Sequence, residues 1–425
     1  MKKYLFLLAC TACLLVNATK SLAQKVESVL YQQTSEVNNL MVHYDADNRS
    51  IARFYTIRNS PERRERLKQL HEDYLAELAK LNFDKLPVGS RVDYILFKRN
   101  LVNELRLLDV EAKEYQQITQ WLPFADTIYA IEKPRRRGAA VNAQQLAQQL
   151  AIIQLQTNGL LKKLAKDVEL TIALSNRAST SVKALQGALK NVFDFYNGYD
   201  PQFSWWLPMP YKTTDSLLNI YANALAAKGK ANSTQKDDGS GIMGSPIGRE
   251  EILQQLQYEM IPYTPEALIE IANKEFAWCE KELLKACQAM GFGNDWKAAQ
   301  EKVKNTYVPA GEQPQAVMKL YNESVDFLKK NKLLTIPPLA EEDWPMNMLS
   351  PERQLLAPFF LGGESLLIAY PTNTMKEADR LMAMRGNNPH FSRATVHHEL
   401  IAGHHLQYYM NNRYKAYRNF DTPFW

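Results

Sequence analysis

Histidines and a glutamate concentrate in one short stretch of the 425-residue chain. The stretch "VHHELIAGHHLQYY", residues 396–409, holds four of the seven histidines, and Glu399 follows the first pair directly. The four are His397, His398, His404 and His405. Imidazole nitrogens and carboxylate oxygens are common zinc ligands. Zinc hydrolases often carry His-Glu-x-x-His on one helix, but here the second histidine position is Ala402. The stretch therefore indicates either a metal site with altered spacing or histidines that only pack.

An unbroken helix could not bring these histidines to one ion. Zinc–nitrogen bonds of ~2.0–2.1 Å place two ligating nitrogens ~3–3.5 Å apart, which favours a spacing of four residues on one helix face. His398 and His404 are six apart, ~9 Å along a helix axis and ~120° around it, and His405 is ~10.5 Å along the axis from His398. Glycine tolerates positive φ angles. We therefore expect the helix to deform near Ala402 and Gly403 if the site binds metal.

Two elements would have to position this site. Ser392 is a plausible N-cap for a helix over residues 393–401, which would carry the first histidine pair and Glu399. Residues 354–373, "QLLAPFFLGGESLLIAYPTN", contain two short apolar runs joined by a Gly-Gly pair, which predicts a β-hairpin. A peptide could lie beside that hairpin as an added strand. Tyr370 and Asn373 are then candidate substrate contacts.

Elsewhere the apolar residues recur with the period of amphipathic helices, so the predicted fold class is mainly α with a small hairpin or sheet beside the active-site helix. The glycine- and serine-rich residues 229–248 predict a surface loop. "KPRRRG", residues 133–138, predicts a solvated turn. Helices are predicted over residues 60–86, 90–118, 140–172, 178–197, 212–228, 249–260, 264–290, 312–331 and 374–385.

The first 23 residues have the features of a secretory signal peptide. Two lysines precede an apolar run, and Ser21-Leu22-Ala23 forms a small-x-small cleavage site. We therefore expect residues 24–425 to form one exported domain, periplasmic or extracellular. Cys10 would allow lipoprotein processing, but the apolar run before it is shorter than the usual ~7 residues. No later segment reaches the ~20 apolar residues of a membrane span.

Charge and cysteine content argue against a nucleic-acid-binding, membrane-surface or disulfide-rich protein. The chain has 51 basic and 46 acidic residues, and three of the lysines lie in the predicted signal peptide, so neither a nucleic-acid partner nor a charged membrane surface is indicated. Cys279 and Cys287 remain after signal removal. They lie ~12 Å apart along one predicted helix, too far for a disulfide, so we expect two buried thiols.

The histidine stretch resembles the active-site helix of the angiotensin-converting-enzyme group of zinc peptidases, in which Val-His-His-Glu, Gly-His and Gln-Tyr-Tyr recur with shorter separations. It is more similar to the bacterial "domain of unknown function 885" family, whose pattern is His-Glu-x-x-Pro-Gly-His-His-x-Gln. Residues 398–407 match it except for Ala402 in place of proline. Further similarity covers "GSPIGREEIL" (244–253), "YTPEALIEIANKEF" (263–276) and "AYPTN" (369–373).

This resemblance implies a zincin-like helical hydrolase. It implies that His398 and His404 bind zinc and that Glu399 is the catalytic carboxylate. His405 could replace His404 as ligand, or face the substrate. A third ligand is expected from a Glu-Gly-Trp motif beyond Trp425, so we expect the sequence to be truncated at its C-terminal end.

Three functions follow as hypotheses. The first is an exported zinc-dependent peptidase acting on short peptides, with zinc as cofactor and Glu399 as the base. The second is a non-catalytic metal- or peptide-binding protein. The third is a zinc hydrolase of a non-peptide amide or ester, since the same chemistry would serve all of these bonds.

Overall fold

A computed structural model of the chain describes residues 35–166, 168–230, 246–357 and 362–418. The predicted signal peptide and most of the predicted surface loop lie outside these ranges. The chain after residue 23, predicted to form one domain, divides into two compact units. The N-terminal unit is Ser35–Pro262 together with Tyr417 and Arg418, and the C-terminal unit is Tyr263–Ala416.

The N-terminal unit is built from nine α-helices within its described residues, with two short 3-10 helices and a two-residue parallel strand pair. The helices are α1 Asn38–Phe54, α2 Pro61–Ala79, α3 Val88–Gln116, α4 Ala125–Arg135, α5 Ala143–Leu164, α6 Ile172–Tyr196, α7 Pro201–Trp206, α8 Pro208–Ala227 and α9 Arg249–Tyr258. The 3-10 helices are Phe83–Lys85 and Thr119–Trp121, and the strands are β1 Leu170–Thr171 and β2 Gly229–Lys230.

Two apolar cores stabilise the N-terminal unit. The larger one lies where α6 packs on α4 and α8 and where α5 packs on α8, around Phe124, Val182 and Tyr221. The smaller one lies between α1, α2 and α3, around Met41, Leu70 and Phe97. Most of these helices bury the apolar stripe that their 3.6-residue period creates, whereas α9 has no buried residue. The mainly α fold predicted from the sequence is confirmed.

Local sequence signals explain several helix starts. Ser60 accepts a hydrogen bond from the backbone N–H of Arg63 and Pro61 follows it, as expected for an N-cap and first helical position. Thr264 caps its helix in the same way through the N–H of Ala267. The helix predicted over residues 264–290 is confirmed, whereas the helix predicted over residues 60–86 starts as predicted but ends at Ala79.

The C-terminal unit contains shorter helices and one three-residue parallel strand pair among its described residues. The helices are α10 Pro265–Ala289, α11 Trp296–Lys304, α12 Gln313–Lys330, α13 Pro338–Glu342, α14 Pro351–Leu356, α15 Glu377–Gly386, α16 Pro389–Glu399 and α17 His404–Asn411. The strands are β3 Met346–Met348 and β4 Leu366–Ile368. Its core forms where α12 packs on α16, around Val317, Leu366 and Val396.

The predicted β-hairpin is wrong in its pairing. Residues 354–356 belong to helix α14, residues 358–361 lie outside the described ranges, and β4 pairs with β3 in parallel, with Leu366 opposite Met346. The second apolar run marked β4 correctly. It could not show that the partner strand precedes α14, because pairing depends on tertiary packing.

The predicted solvated turn at 133–138 is correct only in part, because residues 136–138 form a turn in which Arg137 and Gly138 are exposed. Residues 133–135 complete α4, and the side chain of Arg136 is only 4% exposed. Its guanidinium donates to Glu132, whose side chain is 1% exposed, at 2.6 Å and to Glu62 at 2.9 Å. The basic run thus supplies one buried cation to a pair of carboxylates.

Two further expectations on α10 need correction. Cys287 is buried as expected, whereas Cys279 is exposed, and both are free thiols. The apolar stripe that identified the helix is largely open to solvent, since Phe276 is 75% exposed. No helix among the described residues is both long and apolar enough to cross a membrane.

Candidate metal site

The histidine stretch forms two helices separated by a break. Helix α16 ends at Glu399, α17 begins at His404, and residues 400–403 connect them. The peptide bond between Ile401 and Ala402 is cis. The deformation that the histidine spacing requires therefore occurs at the predicted position.

Helix α16 begins earlier than predicted. Asn388 is its N-cap, because the side-chain oxygen accepts from the backbone N–H groups of His390 and Phe391 at 3.1 and 3.2 Å. Ser392, the predicted cap, lies inside the helix and donates its hydroxyl to the carbonyl of Asn387 at 3.0 Å. Pro389 at the first helical position was the overlooked signal.

Gly403 is required in the break by close approach rather than by a left-handed conformation. Its φ is −107°, which other residues also adopt. A Cβ at this position would lie 2.6 Å from the carbonyl oxygen of His397 and closer still to the carbonyl of His398. The start of α17 can therefore approach the end of α16 only because residue 403 has no side chain.

Apolar anchors hold the break in place. Val396, Leu400 and Ile401 are fully buried in the core of the C-terminal unit. The hydroxyl of Ser324 on α12 donates to the carbonyl of Ile401 at 3.1 Å, which satisfies a backbone group that the break leaves without a helical partner. The connection is thus a packed element of the core.

The break brings His398, Glu399 and His404 together. One nitrogen or oxygen from each side chain lies within 4.8 Å of the others. The two imidazole rings have centroids 4.7 Å apart and are nearly perpendicular, at 89°. Glu399 is buried, His404 is half-buried and His398 is exposed, so the cluster is reachable from solvent. Among the described residues this is the group of three that could hold a metal ion.

The donor set fits zinc. Two neutral imidazoles and a carboxylate are typical zinc ligands, and their present separation needs only side-chain adjustment to reach bonding distance. Oxygen-rich sites that favour calcium or magnesium are built differently, from six or more oxygen ligands or from carboxylates with several waters. Catalytic zinc sites keep one coordination position open, and the solvent-facing side of this cluster leaves room for one.

Two residues at the site were missed from the sequence. A Cβ at Gly362 would lie 2.6 Å from the Cβ of Glu399, so the glycine segment passes directly over this carboxylate. Tyr408 stacks near His404, with ring centroids 6.2 Å apart and 29° between the planes. The Gly-Gly pair at 362–363 is visible in the sequence, but the apolar runs on both sides of it predict a hairpin turn instead of a contact with Glu399.

His405 does not belong to the cluster. Its ring is 4% exposed, and Nε2 donates to the carbonyl of Ala340 on α13 at 2.8 Å. Nε2 also lies 3.2 Å from the carboxylate of Asp343. These contacts tie α17 to α13 and support a structural role for His405.

The remaining candidate residues lie in other environments. His397 is half-buried on α16, and burial together with the nearby charge of Arg393 lowers its pKa. Tyr370 is half-buried against the core of the C-terminal unit, and its carbonyl accepts from Gln354 at 2.7 Å. Asn373 is exposed. Neither Tyr370 nor Asn373 is in the group of three.

Comparison with known proteins gives a family and a fold. No curated protein matches the chain. A solved structure, described as that of a candidate lipoprotein of unknown function from Shewanella oneidensis, matches with a TM-score of 0.52 at 14% sequence identity. The match covers 89% of this chain and 72% of that one, and at this identity it supports the fold alone. The profile of the bacterial proteins of unknown function called DUF885 matches residues 56–423, and the chain therefore belongs to the DUF885 family.

Proposed function

We propose that the protein is an exported zinc-dependent hydrolase that cleaves short peptides. The observation that carries this proposal is the convergence of His398, Glu399 and His404 across the break, with their ligating atoms within 4.8 Å. Packing alone would not require two imidazoles and a buried carboxylate to share one solvent-facing site. The similarity to zinc peptidases in residues 396–409 supports the same reaction class.

In this proposal His398 and His404 hold the ion and Glu399 is the base. Zinc, when bound, would lower the pKa of a coordinated water from 15.7 toward ~7. The carboxylate of Glu399 follows a ligand directly on α16, so it can accept a proton beside the ion and return it to the leaving amine. Gly362 leaves room for this carboxylate, because a Cβ at that position would overlap it.

A peptide substrate is favoured by the neighbouring strand pair. Among the described residues β4 is paired only with β3, and it follows Gly362 by four residues in the chain. An extended peptide could add to β4 through main-chain hydrogen bonds. Tyr370 and Asn373, just beyond β4, would then contact the substrate.

Export is part of the proposal. The features of residues 1–23 are those of a signal peptide, and the structural neighbour is itself described as a candidate lipoprotein. Both features are compatible with a periplasmic or extracellular location.

The test measures bound metal and hydrolysis separately. We expect zinc at one equivalent in the protein, and its loss in His398→Ala and His404→Ala. Glu399→Gln should keep zinc and lose peptide hydrolysis, because the amide cannot accept the proton. The matched control is His390→Ala, which removes an exposed histidine from the same helix and should keep both zinc and activity.

The other outcomes identify the rival functions. Zinc at full stoichiometry in His398→Ala would contradict the ligand assignment. Loss of zinc in Glu399→Gln would make Glu399 a ligand instead of the base. Zinc binding without hydrolysis of any peptide would favour a non-catalytic metal-binding protein, and hydrolysis of esters alone would favour a non-peptide substrate.

A further inference from the structure

A cavity lies wholly within the N-terminal unit. It is about 570 Å³ in volume and lies between α3, α9 and the 3-10 helix that precedes α3. Small-molecule sites commonly have volumes of ~300–1,000 Å³ and combine an apolar lining with a few convergent polar groups. None of its lining residues belongs to the histidine cluster.

The apolar part of the lining is aromatic and aliphatic. Phe83, Tyr94 and Tyr258 contribute rings, and Val102 contributes an aliphatic side chain that is 51% exposed. The Phe83 and Tyr94 rings meet edge to face, with centroids 5.2 Å apart, which fixes the orientation of that wall. Such a surface favours the ring or aliphatic body of an organic ligand.

The charged part of the lining has one sign. Three cationic side chains line the cavity, and the described lining contains no aspartate or glutamate. Arg106 is already neutralised, because it donates to Glu251 at 2.6 Å and to Asn103 at 3.0 Å. The remaining positive charges are those of Lys98, which is exposed, and Arg99.

Arg99 is held in place with part of its hydrogen-bonding capacity unused. Its guanidinium lies over the ring of Tyr258, 4.4 Å from the centroid, and Nη1 donates to the Tyr258 carbonyl. Nε and Nη2 are shielded from water and have no hydrogen-bond partner among the described residues. These two groups form one edge of the guanidinium, the edge that binds both oxygens of a carboxylate. Leaving them unpaired is unfavourable, so an acceptor at this edge would stabilise the site.

We propose that this cavity binds a small organic carboxylate with an aromatic or aliphatic body. A small shift of the Arg99 side chain opens its Nε and Nη2 edge to the carboxylate of the ligand. The charge of Lys98 adds attraction at the rim of the cavity. The body of the ligand lies against Phe83, Tyr94 and Val102. The amide of Gln254, which also lines the cavity, can bond a further polar group of the ligand. This proposal does not depend on the histidine cluster.

The experiment compares an acid with its neutral isostere. The probes are 3-phenylpropionate and 3-phenylpropanamide, titrated calorimetrically into the full chain. We expect the acid to bind about tenfold or more tightly than the amide, as a charge-assisted pair implies. The preference should persist in His398→Ala, which excludes binding of the carboxylate to metal at the histidine site.

Variants then locate the binding. Arg99→Gln should remove the preference for the acid, and Arg66→Gln, the same change at an exposed position of α2, should leave it intact. Val102→Trp should fill the cavity from its exposed side and abolish binding of both probes, while circular dichroism checks that each variant is folded. Equal affinities for acid and amide, no binding at millimolar concentration, or an unchanged preference in Arg99→Gln would each overturn the proposal.

Discussion

Gly362 lies against Glu399 so closely that no side chain fits between them. A Cβ on Gly362 would come within 2.8 Å of the Cα of Glu399 and would overlap its carboxylate. The candidate base is therefore covered by backbone, and its position depends on a residue 37 positions earlier in the chain.

Gly362→Ala should displace Glu399. We expect peptide hydrolysis to fall on the order of 100-fold, since small displacements of a catalytic group have effects of this size. Zinc should remain, because the three atoms nearest to the added Cβ all belong to Glu399 and none to a proposed ligand. Gly187→Ala, at a helix position with open space around it, is the control for a glycine substitution as such. Unchanged hydrolysis in Gly362→Ala would show that Glu399 is not the base.

Gly403→Ala should separate the two ligand-bearing helices. The added Cβ would overlap backbone atoms of His398, which cannot rotate away as a flexible side chain could. We expect a loss of about 1–3 kcal/mol in unfolding free energy and weaker zinc binding. The neighbouring exposed change Ala402→Ser should affect neither quantity, and wild-type zinc affinity in Gly403→Ala would contradict the role given to the close approach.

Removal of His404 should affect zinc binding, whereas removal of His405 should affect the unfolding free energy. His404→Ala is expected to release zinc, with little effect on the unfolding free energy measured in the absence of metal. His405→Ala should retain zinc in the folded protein and lose about 1–3 kcal/mol of unfolding free energy, because it leaves the Ala340 carbonyl without its buried donor. Metal analysis and urea denaturation of both variants measure the two effects. The opposite pattern would exchange the two assignments.

The buried His71 should make the protein less stable in acid. Its ring is 2% exposed beside the Tyr44 hydroxyl, and burial lowers its pKa from 6.5 to about 4. The unfolded chain therefore takes up a proton at a higher pH than the folded chain does. The stabilisation is fully present above about pH 6.5 and is lost as the pH falls toward about 4, a change of up to about 3 kcal/mol.

Denaturation midpoints measured across this pH range test the His71 contribution. His71→Gln should have a flatter pH profile than the wild type between pH 6.5 and 4. His43→Gln, an exposed position on α1, should keep the wild-type profile. A wild-type slope in His71→Gln would assign the acid sensitivity to other groups.

Removal of Arg136 should lower the unfolding free energy much more than removal of the neighbouring Arg137. Arg136→Ala leaves Glu132 buried with only Arg135 as partner, and breaking a buried ion pair in this way costs about 3 kcal/mol or more. Arg137 is exposed, so Arg137→Ala should change the unfolding free energy by less than about 1 kcal/mol. Thermal or urea denaturation of the two variants measures the difference. Equal destabilisation would show that the buried network contributes nothing specific.

The sequence by itself predicted many of the longer helices and the residues of the candidate metal site. Caps such as Ser60 and Thr264 and the 3.6-residue apolar period are local signals, because they depend on neighbours within one or two turns. The need for a break near Gly403 also followed from local geometry, since histidines six residues apart cannot meet on a straight helix.

Only the tertiary structure decided what these elements contact. In it β4 pairs with β3, and Arg136 is buried against Glu132. His405 contacts α13, and Gly362 lies against Glu399. Each of these contacts joins side chains or backbone from different elements, so its partner depends on packing. It also showed that Gly403 is needed for close approach, because the clash arises only when α16 and α17 meet.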